Sequence, residues 1–79
     1  MMIEGLERIT FEAGKMGGQA CIRGLRVPVV TVLKLVASGM SRAEILEDYP
    51  YLENADIDQS LAYAALLVEE RVVVIPKAG

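Results

Sequence analysis

The sequence predicts a mainly α fold: three helices behind a short N-terminal β-hairpin, with a candidate strand at the C-terminus. Three observations carry that reading. Gly14, Gly17, Gly18 and Gly24 divide the first third of the chain into two short β-rich runs. Capping patterns at Ser41 and near Asp56 stand at the heads of two further apolar segments. Between these regions lies an apolar run opened by Pro28 and closed by Gly39. The 79 residues form one domain, with a hairpin arm over 8–27, a helical core over 28–70 and a strand or tail over 71–79.

Residues 1–7 have weak periodicity and read as either a frayed end or a short extension. Arg8-Ile9-Thr10-Phe11 is rich in β-formers and reads as the first strand. Gln19 to Ile22 returns as the second, after a glycine-broken loop that includes Gly18. Gly24 is placed as the sharp turn that follows, since glycine reaches positive φ without steric cost. A two-stranded hairpin is marginal alone and needs a helix or another copy to lie on.

Val27 to Ser38 carries contrary signals. Five valines favour a strand, whereas length and Pro28 favour a helix. Taken as a helix, it has one narrow polar stripe of Thr31, Lys34 and Ser38, and so is expected to be buried on most sides. Pro28 is expected at its first-turn position, where the missing N–H costs nothing. Gly39 is expected just past its end. Ser41 and Glu44 form a capping box for a second helix, which Tyr49-Pro50 ends. Asn54 or Asp56 caps a third helix running from about Asp56 to Glu70. Its apolar face is read as Ile57, Leu61, Ala64, Ala65 and Val68, widened by Tyr63, Leu66 and Leu67. Val72-Val73-Val74-Ile75 reads as a strand that pairs with the N-terminal strands, its own or another subunit's, and is the candidate partner-binding segment.

Composition excludes several functions. The chain has no histidine and one cysteine, which removes the commonest general base, clustered metal ligands and any intramolecular disulfide. Neither GxGxxG nor GxxxxGK[ST] is present. The carboxylates near Glu44 and Asp56 sit at spacings typical of capping and solvation. The expectation is no enzyme, no cofactor, no metal and no small-molecule substrate. No apolar run approaches the ~20 residues that span a bilayer, so the expected setting is cytoplasmic. Apolar residues make up 53% of the chain and the mean hydropathy is +0.37. That is more than so small a domain can bury alone, and it predicts a homo-oligomer, most simply a dimer built on the N-terminal strands and the Val27–Ala37 helix.

Charge is unevenly spread. Residues 1–40 hold five cations against three carboxylates, or +2. Residues 41–79 hold three cations against eight carboxylates, or −5. A polyanion would therefore meet the first half. Lys15, Arg23 and Arg26 are the candidate nucleic-acid contacts. The alternative, weighed equally, is that both arginines pair with carboxylates within or between subunits. The third helix opens with Asp56, Asp58, Gln59 and Ser60, and its two carboxylates would repel phosphates. Cys21 beside Arg23 is read as a small buried hydrophobe rather than a reactive thiol.

The run Gly17-Gly18-Gln19-Ala20-Cys21-Ile22-Arg23-Gly24-Leu25-Arg26-Val27-Pro28-Val29, preceded by Ile9-Thr10-Phe11, resembles the bacterial domain of unknown function 433. Ala37 to Ser41, Glu44 to Pro50, Asp56-Ile57 and Ala62 to Ala65 fit the same pattern, so the resemblance covers about Arg8 to Ala65. It departs at Gln19 and Ala20, where the family often has lysine and proline. The resemblance implies a homeodomain-like, helix-turn-helix-related core. It also implies an antitoxin-like role, with a PIN-like ribonuclease toxin and operator DNA as partners. A protein-interaction module without DNA binding is the alternative. Gly18, Gly24, Pro28, Gly39, Ser41, Glu44 and Pro50 are assigned to holding the fold.

Overall fold

The structure is a computed structural model that describes residues 2–3, 5–12, 14 and 18–70. The order of elements is β1 (Met2–Ile3), β2 (Leu6–Thr10), β3 (Cys21–Ile22), α1 (Val29–Ala37), α2 (Arg42–Asp48) and α3 (Asn54–Glu70). The fold is mainly helical, with a small antiparallel sheet at the N-terminus in the order β1-β2-β3. Ile9 faces Ile22 and Thr10 faces Cys21 across β2 and β3. The extension expected before Arg8 instead supplies β1 and the start of β2, with Ile3 opposite Leu6. The segment expected to return over 19–22 is regular only at Cys21–Ile22. The expected C-terminal strand Val72–Ile75 and the candidate contact Lys15 lie outside the described residues.

The hairpin turn was legible at Gly24. Arg23 and Gly24 both have positive φ, 44° and 69°. The Leu25 N–H donates to the Ile22 carbonyl at 2.7 Å. Positive φ at both central residues is what a type I′ turn demands. A Cβ at position 24 would also stand 3.1 Å from Glu12 Oε1. After the turn the chain runs back beside β3, with Ile22 N–H bonded to the Val27 carbonyl and Val29 N–H to the Ala20 carbonyl.

That last bond corrects the expected place of Pro28. It has φ −65° and ψ 144°, so it stands at the helix boundary rather than in the first turn. The extended ψ lets residues 27–29 finish the pairing with β3 before α1 begins. The other end of α1 is as expected. Gly39 has φ 93°. Its N–H bonds to the Val36 carbonyl, and the Met40 N–H bonds to the Leu35 carbonyl. This is the Schellman arrangement, which satisfies the last carbonyls of a helix.

The Ser41–Glu44 capping box is present in both directions. Ser41 Oγ accepts from the Glu44 N–H at 3.1 Å, and Glu44 Oε1 accepts from the Ser41 N–H at 2.9 Å. Those bonds favour the charged form of Glu44 and hold its carboxyl below the ordinary value. Tyr49, at φ −125° and ψ 74°, ends α2 before Pro50.

The core lies where the sheet meets the helices. Ile9, Ile22, Val27, Val29, Val32, Ile45, Leu52 and Ile57 are buried together. Phe11 packs edge-to-face on Tyr63 at 5.8 Å. Two expectations about helix faces need correction. In α1, Val29 and Val32 are fully buried but Val30 is 46% exposed, so the helix is covered on one side only. In α3, Asp56, Ile57 and Ser60 point inward, whereas Leu61, Ala65 and Val68 face out. An ion-pair cluster turns α3 this way.

Candidate functional site

Asp56 is the centre of that cluster. It has no solvent exposure, and it occupies the third residue of α3. Its Oδ2 accepts from the Glu53 N–H at 2.8 Å, satisfying a donor left over at the helix start. Asp56 therefore does not precede the helix; it reaches back to residue 53, and α3 begins two residues earlier than expected. Arg23 grips the same carboxylate side-on, Nε to Oδ1 at 3.0 Å and Nη2 to Oδ2 at 2.9 Å. Arg8 Nη1 donates to Oδ1 at 3.0 Å and to Glu53 Oε1 at 2.6 Å. The carboxylate thus accepts four hydrogen bonds, which is its full capacity.

The backbone completes the clamp. Arg23 Nη2 also donates to the Tyr51 carbonyl at 2.7 Å. The Arg8 N–H donates to Gln59 Oε1 at 2.9 Å. The buried Ser60 Oγ donates to the Asp56 carbonyl at 2.8 Å. In this way β2, the type I′ turn and the start of α3 are tied through one side chain. Burial pushes the Asp56 carboxyl up, but the Arg23 hydrogen bonds, the Glu53 N–H and Arg8 outweigh it and hold it below the ordinary value. Hydrogen bonds to the Glu53 and Asp56 carboxylates raise Arg8, and those to Asp56 raise Arg23, above the usual guanidinium value.

Of the predicted contact residues, Arg23 and Arg26 lie among the described residues and are held differently. Arg23 is engaged inside the chain, the pairing alternative left open by the sequence. Arg26 is exposed and, among the described residues, has no ion-pair partner. At the start of α3, Asp56 and Ser60 are buried and Gln59 is occupied by Arg8. Asp58 is paired with Arg42 at 2.7 Å. Cys21 is buried, and its Sγ lies 3.4 Å from the Gln19 carbonyl.

A second feature was not anticipated. An open groove of about 390 Å³ runs between α1 and α3, lined by Gln19, Ala20, Val29, Val30, Leu33, Tyr63 and Leu67. Leu67 is 44% exposed there. It lies seven residues beyond Ser60, on the same face of the helix, so α3 runs on past the core that covers its first turns. Leu61 and Val68 are 37% and 68% exposed on a different side, about 100–120° round the helix from Leu67. The sequence reading places Tyr63 and Leu67 at the margin of the Leu61–Val68 face; they line the groove instead because the inward face is centred on Asp56 and Ser60, and nothing local marks two polar residues as interior.

Comparison with known proteins bears on the whole arrangement. No curated protein matches the chain. The crystal structure of a DUF433 member protein from Anabaena variabilis ATCC 29413 is similar, with 33% sequence identity and a TM-score of 0.73. The match covers 80% of this chain and 62% of that one. The family model described as protein of unknown function (DUF433) matches residues 9–64. That span contains the type I′ turn, both helix caps and Asp56 with Arg23; the chain belongs to the DUF433 family.

Proposed function

We propose that this chain is an antitoxin-like regulatory module that acts as a homodimer, neutralises a PIN-like ribonuclease toxin and binds operator DNA. The observation that carries the protein-binding part is the outward side of α3. Leu61 and Val68 stand seven residues apart, exposed, on a helix whose own core lies elsewhere. Anchors at that spacing suit a helix laid against a partner's apolar groove. Operator binding falls to the basic first half, with Arg26 and Lys15 as the contacts. The chain would be cytoplasmic in that role.

One observation favours a second reading, an oligomeric interaction module that binds no DNA. Arg23 spends its guanidinium on Asp56, which leaves the hairpin a weaker phosphate grip. Co-expression with the product of the adjacent gene tests both. The antitoxin reading expects a ribonuclease to co-purify and to lose activity in the complex. Leu61→Asp with Val68→Asp should release it while the melting temperature is kept. Failure of any ribonuclease to bind overturns that reading. Gel shifts across salt decide the DNA part. Arg26→Ala should lower the salt slope by about one phosphate contact. Absence of binding at low salt leaves the interaction module.

A further inference from the structure

We propose that the groove between α1 and α3 is the seat for Val72–Ile75 of a second copy of this chain, exchanged about a two-fold axis. The inference deepens the homodimer part of the functional reading and is independent of toxin and DNA. Its first support is chemical. The groove is apolar along Val30, Leu33, Tyr63 and Leu67, with a single polar amide, Gln19, on its wall. Val72-Val73-Val74-Ile75 is four consecutive β-branched apolar residues. In an extended chain they alternate sides, so two of the four enter a groove together. Such a segment left in water has an apolar edge that templates pairing with other chains.

The second support is the position of the tail. Leu67 stands on the groove wall three residues before Glu70, where α3 ends, and nine residues follow. To fill its own groove the chain would have to reverse at once. Reversal at a helix end uses glycine or asparagine in the left-handed region. Here the residues after Glu70 are Arg71, Val72 and Val73. β-branched residues are severe outliers at positive φ. The first glycine after α3 is Gly79, beyond the apolar run. Residues 71–75 include none of the types suited to an immediate reversal, which favours a second copy's groove over the chain's own. A two-fold partner with an antiparallel α3 receives it and returns the same segment, a self-complementary exchange. The groove face is distinct from the Leu61–Val68 side, so self-association leaves that side open.

Cysteine pairing in the full-length chain tests the exchange. Cys21→Ala removes the native thiol. One such chain carries Leu33→Cys and another Val74→Cys. Mixed under a mild oxidant, the two should form a disulfide-linked heterodimer, and neither alone should do so. A chain carrying both substitutions should give a covalent dimer at micromolar concentration. A monomer with an internal disulfide would mean that the chain's own tail fills the groove, and would overturn the exchange. Sedimentation supplies the second measurement. The native chain should run at twice 8.6 kDa, and Val74→Asp should weaken dimerisation at least about tenfold, because an apolar contact is lost to a charge. A native chain that remains monomeric, with no disulfide between the Leu33→Cys and Val74→Cys chains, would leave the groove to a different protein and defeat the proposal. None of these readouts involves a toxin or an operator.

Discussion

At the start of α3, Asp56 and Ser60 are polar and have no exposure; at its end, Leu67 and Val68 are apolar and are 44% and 68% exposed. One helix thus buries polar groups in its first turns and shows apolar groups in its last. The two regions are held by different physics. The Asp56 carboxylate has all four acceptor positions filled, and two guanidinium groups answer two carboxylates. A buried charge is tolerable only under those conditions. Near Leu67 the surface is apolar apart from Gln19 and makes no comparable demand on geometry. The first region fixes how the sheet and helix fit together. The second is free to serve binding.

Asp56→Ala should break the contrast hardest. It removes the acceptor for two arginines and the Glu53 N–H, a class of change that costs ~3–5 kcal/mol when fully buried. The Arg8 and Arg23 side chains retain 27% and 35% exposure, so the expected loss is near the lower end, about 3 kcal/mol. Urea unfolding measures it. A loss below ~1 kcal/mol would show that the clamp is ornamental. The same carboxylate gives an acid signature. Its folded pKa lies below the unfolded value. Its contribution is therefore complete above about pH 4, the unfolded value, and disappears as pH falls through the depressed folded value. Asp56→Asn should remove that part of the acid dependence.

Gly24→Val tests the turn that aims Arg23. A β-branched residue at φ 69°, with its Cβ against Glu12, should cost on the order of 1–3 kcal/mol. An unchanged melting temperature would mean that the turn relaxes without strain. Ser60→Ala is expected to cost about 0.5–1 kcal/mol, since one neutral hydrogen bond is lost and the Asp56 carbonyl keeps its place in the helix. At the other end of α3, Leu67→Ser should change stability by less than about 0.5 kcal/mol in dilute monomer. Its effect should appear instead as weaker self-association by sedimentation. A large loss of monomer stability would move Leu67 into the core and erase the contrast.

Much of the fold was legible in the chain. The Ser41–Glu44 box, the Gly39 terminus, the Gly24 turn and the end of α2 before Pro50 all depend on residues within five positions of one another. Local chemistry of that kind is written directly into sequence. The candidate site was less legible. Arg23 was recognised as a residue of consequence, but its two partners, phosphate or carboxylate, could not be told apart. Asp56 lies 33 residues away in the chain, and no periodicity links them.

The sequence by itself determined the Gly39 end of α1, both ends of α2 and that the domain is mainly α. Only the tertiary structure decided which face of α3 turns inward. Periodicity offered Leu61 and Val68 for the core; a bidentate Arg23–Asp56 pair, with Arg8 beside it, rotated Asp56 and Ser60 there instead. The reason is the range of the forces involved. Caps and turns are settled between neighbours, whereas a buried charge takes its place only when distant strands deliver its counter-charges.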